Sequence, residues 1–146
     1  MLPGADEELD PGIGDRYAVQ GAYEALATAI GAHRQYGGRA IDVRFDDTAA
    51  AKTLFAVRPA AFPPRDDAIR VAFGGRRSDG QAYARFLGLA SGCLEGAAHR
   101  FGLPVSRLPE RVNRPDSNPA KLVDEYLWMR ITRNVGPVPG PSLAVG

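Results

Sequence analysis

The sequence predicts an α+β fold with the element order helix, three strands, helix, two strands. Apolar residues recur at helical spacing in two long stretches and alternate with polar residues in several short ones. Clusters of glycine and proline separate these stretches and mark where the elements end. With 146 residues, 45% of them apolar, the chain is large enough for one domain. We expect that domain at residues 15–134, with flexible tails at 1–14 and 135–146.

The first helix is predicted to begin at Asp15 and to end at the glycine pair Gly37–Gly38, which supplies a stop signal. Its apolar residues keep helical spacing. They are Val19, Ala22, Tyr23, Leu26 and Ile30.

Three strands are predicted next, at residues 40–45, 53–57 and 68–73. The first and third alternate apolar with polar side chains, which is typical of half-buried strands. The second is short and rich in β-branched and aromatic residues, although its alanine-rich approach leaves a helix open as an alternative. A proline-rich connector at residues 58–67 separates the second strand from the third.

The second long helix has well-marked ends. Ser78 and Gln81 form a capping-box pattern that places its start near Asp79. Gly102 terminates it, and Pro104 follows two residues later. The helix is the strongest helical pattern in the chain.

Two further strands are predicted after this helix. Residues 104–112 contain an internal proline and are interpreted as an irregular edge strand. Residues 114–124 are interpreted as a loop or short helical turn. Residues 125–132 are aromatic and β-branched with alternating apolar positions, which predicts the closing strand.

Three glycines, Gly88, Gly92 and Gly96, recur at every fourth position of the second long helix. Each costs about 1 kcal/mol of helix stability relative to alanine, so a compensating contact is expected. Residues four apart lie nearly in line, which predicts a shallow groove for another helix. Glu95 interrupts the apolar stripe, and the sequence leaves open whether it is buried against a donor or reaches solvent.

Composition excludes several function classes. The net charge is +1 and no basic run occurs, so nucleic acid is not an expected partner. A single cysteine excludes an internal disulfide, and no Cys/His cluster suggests a metal or other cofactor. The acidic, glycine-rich start lacks the features of a secretory signal. The longest apolar stretch is interrupted by charges, so no membrane span is expected, and the cytoplasm is the predicted location.

Few residues suggest chemistry. The turn at residues 74–80 places Arg76 and Arg77 beside a helix start, which is a candidate contact for a phosphate or carboxylate. An ordinary turn with a helix cap is the favoured interpretation. Cys93 is interpreted as a small buried thiol rather than a nucleophile. The acidic pairs at 46–47 and 66–67 are interpreted as turn formers, so no catalytic residue is assigned.

The motif Gly-Cys-Leu-Glu-Gly-Ala-Ala at residues 92–98, followed by Gly102, Leu103 and Pro104, resembles the small core subunits of the TRAPP (transport protein particle) family. The similarity extends over Thr53–Arg133. Some family members carry an acyl chain on a cysteine, but Cys93 does not match that position, so acylation is not expected here. The N-terminal helical region is shorter than in the family, and the last hairpin has an insertion.

The resemblance implies helices on one face of a twisted antiparallel sheet and a non-catalytic scaffold role. Such subunits assemble with other small subunits into a hetero-oligomeric vesicle-tethering complex. That complex acts with Rab GTPases in transport from the endoplasmic reticulum to the Golgi, at the cytoplasmic side of these membranes. The glycine stripe and Glu95 would then organise the core and the partner contacts.

Two alternative functions are retained. One is a cytosolic sensor or small-molecule carrier of the same fold, with a pocket between helices and sheet lined by Phe86, Leu94 and Trp128. The other is a small enzyme that acts on an anionic substrate through Arg76 and Arg77.

Overall fold

A computed structural model describes residues 13–136, with side chains described from residue 16. The described chain is mostly helical and contains one two-stranded antiparallel sheet. The predicted mixture of helix and strand is therefore confirmed, but the seven-element order and the larger sheet are wrong. The predicted tails lie almost wholly outside the described residues. The elements are α1 (Ile13–Thr28), β1 (Ile30–Tyr36), β2 (Arg39–Arg44), α2 (Asp47–Val57), α3 (Asp67–Ala72), α4 (Gly80–Phe101), α5 (Leu108–Arg111) and α6 (Pro119–Leu127).

The first helix ends at Thr28, earlier than predicted, because the glycine pair closes a β-hairpin instead of stopping a helix. Gly37 and Gly38 both have positive φ, 57° and 77°. This is the conformation that a two-residue hairpin turn requires and that glycine adopts without strain. The first predicted strand is confirmed as β2, and its partner β1 comes from residues assigned to the helix.

The hairpin lies against the helices only at its base. The Phe45 amide donates to the Ala29 carbonyl over 2.8 Å, and nearly every residue of both strands is exposed. A sheet covered on one face by helices is therefore absent from residues 13–136. The α+β class holds only as a helical body with a projecting hairpin.

The second and third predicted strands are helices α2 and α3, because the aspartate before each one caps a helix. Asp46 accepts a hydrogen bond from the Ala49 amide over 2.7 Å, and Asp66 accepts one from the Ile69 amide over 2.8 Å. These carboxylates satisfy amides that a helix start leaves without a partner. Val71, which the alternating pattern placed on a buried face, is exposed.

The long helix is confirmed as α4. Its cap is Asp79, whose carboxylate accepts from the Ala82 amide over 2.8 Å. Gly102 ends the helix in the left-handed conformation, with φ of 63°. The boundaries inferred from the sequence match the structure within one residue.

The last two predicted strands are also wrong. Residues 105–107 form a 3₁₀ turn that leads into α5, and residues 128–132 form a π-helical turn that continues α6. Asn118 caps α6 by accepting from the Lys121 amide over 2.9 Å. Pro119 occupies the first helical position, where a missing amide costs nothing.

Helices α1 and α4 pack together, but not through the predicted glycine stripe. The rings of Tyr23 and Tyr83 stack with centroids 4.3 Å apart. The close approach occurs at Gly80, where a Cβ would lie 2.5 Å from the Gln20 carbonyl oxygen and 2.8 Å from Cγ of Glu24. Gly80 is therefore the glycine that this interface needs.

We expect alanine substitutions to separate the two kinds of glycine. Gly80→Ala should lower the free energy of unfolding by about 1–3 kcal/mol, because the new methyl group meets the α1 backbone. Gly96→Ala should raise it by up to about 1 kcal/mol, because alanine favours the helix and the site is open. Urea denaturation of both variants measures the two values. A shift of the same sign in both would contradict the packing described.

Candidate functional site

An open apolar groove runs along the outer face of α4, where α5 and α6 form the opposite wall. Its volume is about 790 Å³, within the size range of binding cavities in proteins. The lining is almost entirely apolar. Its residues include Phe73, Phe86, Leu89, Cys93, Leu94, Ala97, Arg100, Phe101, Val112, Leu122, Tyr126 and Leu127.

Large apolar side chains in this groove remain exposed to solvent. Leu89 is 57% exposed, Phe101 47% and Tyr126 60%. Single exposed apolar residues are ordinary on protein surfaces, but a contiguous set is typical of an interaction site. The groove is therefore the candidate functional site of the described residues.

Helix α6 forms one wall because one of its faces is anchored in the core. Ala120 and Val123 are buried, and this positions Leu122 and Tyr126 along the groove. At the other wall, the guanidinium of Arg111 lies 4.7 Å from the centroid of the Phe101 ring. The Phe101 ring is therefore held by a cation–π contact while part of it remains exposed.

The glycine stripe borders the groove and takes no part in packing within the described chain. Gly92 and Gly96 line the groove, while Gly88 does not. A Cβ added at any of the three would meet no atom of the described residues within 4 Å. No other helix within residues 13–136 fills the stripe, so the expected contact is not made in the described part of the chain. The helix stability that the three glycines cost is not recovered by a contact among the described residues.

The predicted ligand pocket is only partly assembled. Phe86 and Leu94 are buried and both line the groove. Trp128 is not among the lining residues; its ring lies 5.3 Å below the guanidinium of Arg133. Because the hairpin is exposed on both faces, the predicted location between helices and sheet is also wrong.

The structure resolves the surroundings of Cys93 and Glu95. The thiol of Cys93 is exposed in the groove, so the prediction of a buried thiol is wrong. Glu95 is exposed, and its carboxylate accepts a hydrogen bond from the Ser91 hydroxyl over 3.3 Å. Of the two interpretations left open for Glu95, the solvent-exposed one is observed.

The candidate anion contact at residues 74–80 remains a prediction. Arg76 and Arg77 are both exposed, and neither pairs with a carboxylate of residues 16–136. Two other arginines near this turn are buried. Arg70 donates to the Gly75 carbonyl over 2.7 Å and is paired with Asp67.

The other buried arginine, Arg65, is 1% exposed and begins a chain of hydrogen bonds through the core. Its Nη2 donates to the Tyr23 hydroxyl over 2.8 Å. That hydroxyl donates to Oδ1 of Asp47 over 2.7 Å, and Asp47 also accepts from the Ser78 amide over 2.8 Å. The chain joins the connector at 58–66, α1, α2 and the turn before α4.

Aromatic rings surround the guanidinium of Arg65. Its Cζ lies 5.2 Å from the Tyr23 ring centroid, 4.9 Å from that of Tyr83 and 5.5 Å from that of Phe86. Such contacts stabilise a desolvated cation. They offset part of the free energy that it costs to bury Nε and Nη1, which have no hydrogen-bond partner among the described residues.

The two tyrosines of this cluster have raised pKa values. Burial raises the pKa of Tyr23, and the hydrogen bond to Asp47 adds to the effect, while Arg65 acts in the opposite direction. Burial also raises the pKa of Tyr83, again opposed by Arg65. Both phenols are therefore neutral in the folded chain at physiological pH, and the Tyr23 hydroxyl links Arg65 to Asp47 by hydrogen bonds.

Sequence reasoning missed the Arg65 cluster because its members lie in four separate stretches, interpreted as a first helix, a turn, a connector and a second long helix. One signal was available. The connector contains Ala61, Phe62, Pro63 and Pro64 directly before Arg65, and this apolar run is buried. A run of that kind in a connector indicates that the segment crosses the core.

Between residues 13 and 136, no group of three or more His, Cys, Asp or Glu side chains is placed to hold a metal ion. In the same range, no helix combines the length and hydropathy needed to cross a bilayer.

Comparisons with protein-family models, with curated proteins and with solved structures found no match for this chain. The candidate site is therefore argued from geometry alone.

The Arg65 cluster predicts different effects for removal of its two tyrosine hydroxyls. Tyr23→Phe should lower the free energy of unfolding by about 1–3 kcal/mol, because Arg65 and Asp47 both lose a buried partner. Tyr83→Phe is the matched control, since the Tyr83 hydroxyl is buried without a partner in the described chain. Its removal should leave stability unchanged or slightly raised. Equal losses in urea denaturation would contradict this assignment.

Proposed function

We propose that this chain is a non-catalytic protein-binding module that holds apolar side chains of a partner in the groove along α4. The observation that supports this most directly is the contiguous exposure of Leu89, Phe101 and Tyr126 on a folded, capped helical surface. A partner that covered these side chains would remove their apolar area from water, and this burial is the main driving force of protein association.

The open stripe of Gly92 and Gly96 supports the same proposal. A glycine in a helix interior is unfavourable unless the missing side chain allows a close contact. Since no described atom approaches either position, a partner's backbone or side chain is the contact that would compensate. Gly92 and Gly96 therefore keep the interaction role expected from the sequence, but their proposed partner lies outside the described chain.

The two alternative functions have less support. A carrier of a small molecule needs a cavity that encloses most of its ligand, whereas this groove is partly open to solvent. An enzyme acting at Arg76 and Arg77 depends on two exposed side chains, and no other observation adds to that hypothesis.

A narrower proposal is that the chain serves as a TRAPP-like tethering subunit, together with other small subunits and, indirectly, a Rab GTPase at Golgi or endoplasmic reticulum membranes. It depends on the motif at residues 92–104. The stretches that resembled the family's strands, at 53–57, 68–73 and 125–132, are helical here. The groove proposal does not depend on this assignment.

Blocking the groove tests the proposed function. In the native cell, tagged wild-type chain should co-purify with a stoichiometric partner, and Gly92→Leu should lose it because the leucine occupies the groove. Gly21→Leu is the matched control, since Gly21 is an exposed, open helical glycine of α1. Quantitative mass spectrometry of the three purifications measures the partner. Retention with Gly92→Leu, or equal loss with Gly21→Leu, would contradict the proposal.

A further inference from the structure

The charges around the groove are unbalanced. Three carboxylates of α5 and α6 are each paired with a cation: Glu110 with Arg107, Asp124 with Lys121, and Glu125 with Arg114. Neither Arg85 nor Arg100 of α4, by contrast, forms an ion pair with a carboxylate of residues 16–136. Arg111 contacts the Phe101 ring and likewise has no carboxylate partner in that range. Of these three arginines, Arg100 lines the groove and Arg111 contacts the ring of the lining residue Phe101.

The two arginines of α4 lie at opposite ends of the apolar stretch. Arg100 lines the groove near Phe101, and Arg85 lies one helical turn before Leu89 on the same face. They are fifteen residues apart in the sequence, which corresponds to about 22 Å along a helix. An occupant that contacts both Arg85 and Arg100 must therefore be about this long, with apolar groups in the middle and acidic groups near its two ends.

We infer that the partner segment is an acidic amphipathic helix of about four turns, which lies along α4 with apolar residues in the groove and carboxylates near Arg85 and Arg100. This inference rests on the proposed function and specifies its partner. A helix satisfies its own backbone hydrogen bonds, so it can enter a groove that offers almost no polar partners. The open positions at Gly92 and Gly96 allow its backbone to approach α4 closely.

A second copy of this chain fits the charges poorly. A twofold axis perpendicular to α4 makes the two copies of the helix antiparallel, which places Arg85 of one copy near Arg100 of its mate. A twofold axis parallel to α4 makes them parallel, which places each arginine near the same arginine of its mate. This juxtaposition of like charges disfavours self-association and leaves an acidic partner as the better occupant.

The test uses the full chain and two synthetic peptides. Both carry leucines along one face over four helical turns; one has glutamates near its two ends, and the other has lysines at the same positions. Cys93 is the only cysteine of the chain and is exposed in the groove, so its alkylation rate reports occupancy directly. Fluorescence anisotropy measures the affinities.

We expect the glutamate peptide to slow alkylation of Cys93 and to bind at least about tenfold more tightly than the lysine peptide, with a difference that shrinks at high salt. The double substitution R85E/R100E changes two exposed side chains and should make the lysine peptide the tighter binder. Circular dichroism verifies that this variant is folded. Gly92→Leu should weaken binding of both peptides, whereas Gly21→Leu should not.

Other outcomes overturn the inference. Equal or stronger binding of the lysine peptide would refute an acidic partner while leaving the groove as a binding site. Protection of Cys93 by phosphatidylserine vesicles but by neither peptide would identify a lipid surface instead. A dimer in sedimentation equilibrium that Gly92→Leu disperses would identify a second copy. Binding of neither peptide would also reject the inference, and the co-purification with Gly92→Leu would then decide separately on the proposed function.

Discussion

The interaction on which the fold depends is the buried guanidinium of Arg65, enclosed by aromatic rings and linked through the Tyr23 hydroxyl to Asp47. An isolated buried cation is strongly unfavourable, so this arginine requires its partners in place at the same time. The partners come from α1, α2 and α4, and the connector brings Arg65 to them. The cluster therefore links four segments of the chain: the connector, α1, α2 and α4. It fixes the position of α4 in the molecule.

That placement divides α4 into two faces with different roles. The inner face, with Tyr83 and Leu87, is buried in the core. The outer face, with Leu89, Cys93 and Gly96, borders the groove and is left open by the rest of the described chain. Because the inner face of α4 is fixed in the core, the apolar residues of its outer face can stay exposed to solvent. This arrangement connects the buried polar cluster to the proposed binding role.

Local signals explain which elements could be predicted from the sequence. The α4 boundaries were predictable because a polar capping pattern precedes the helix and Gly102 ends it, although the cap is Asp79 and not Ser78 of the predicted capping box. Strand β2 was predictable because its alternation is genuine. The second and third predicted strands were wrong because aspartate before an apolar run favours a helix cap as readily as a turn. The alternation of Ile69, Val71 and Phe73 instead belongs to a short helix and the turn after it, and only Ile69 of the three is buried. The Arg65 cluster and the groove depend on tertiary packing, which neither periodicity nor motif spacing encodes. The glycine spacing drew attention to Gly92 and Gly96, which line the groove. The contact predicted for them, however, was with another helix of the same chain.

The central claim is that the glycine-bearing face of α4 is open in the folded chain. The most direct measurement is the alkylation rate of Cys93 in native buffer, compared with the rate in urea at the same pH. The account predicts rates within about tenfold of each other, because the thiol lies in an accessible groove. A native rate slower by about a thousandfold or more would mean that alkylation requires unfolding and that another part of the molecule covers this face. Such a result would contradict the groove and the proposals that depend on it.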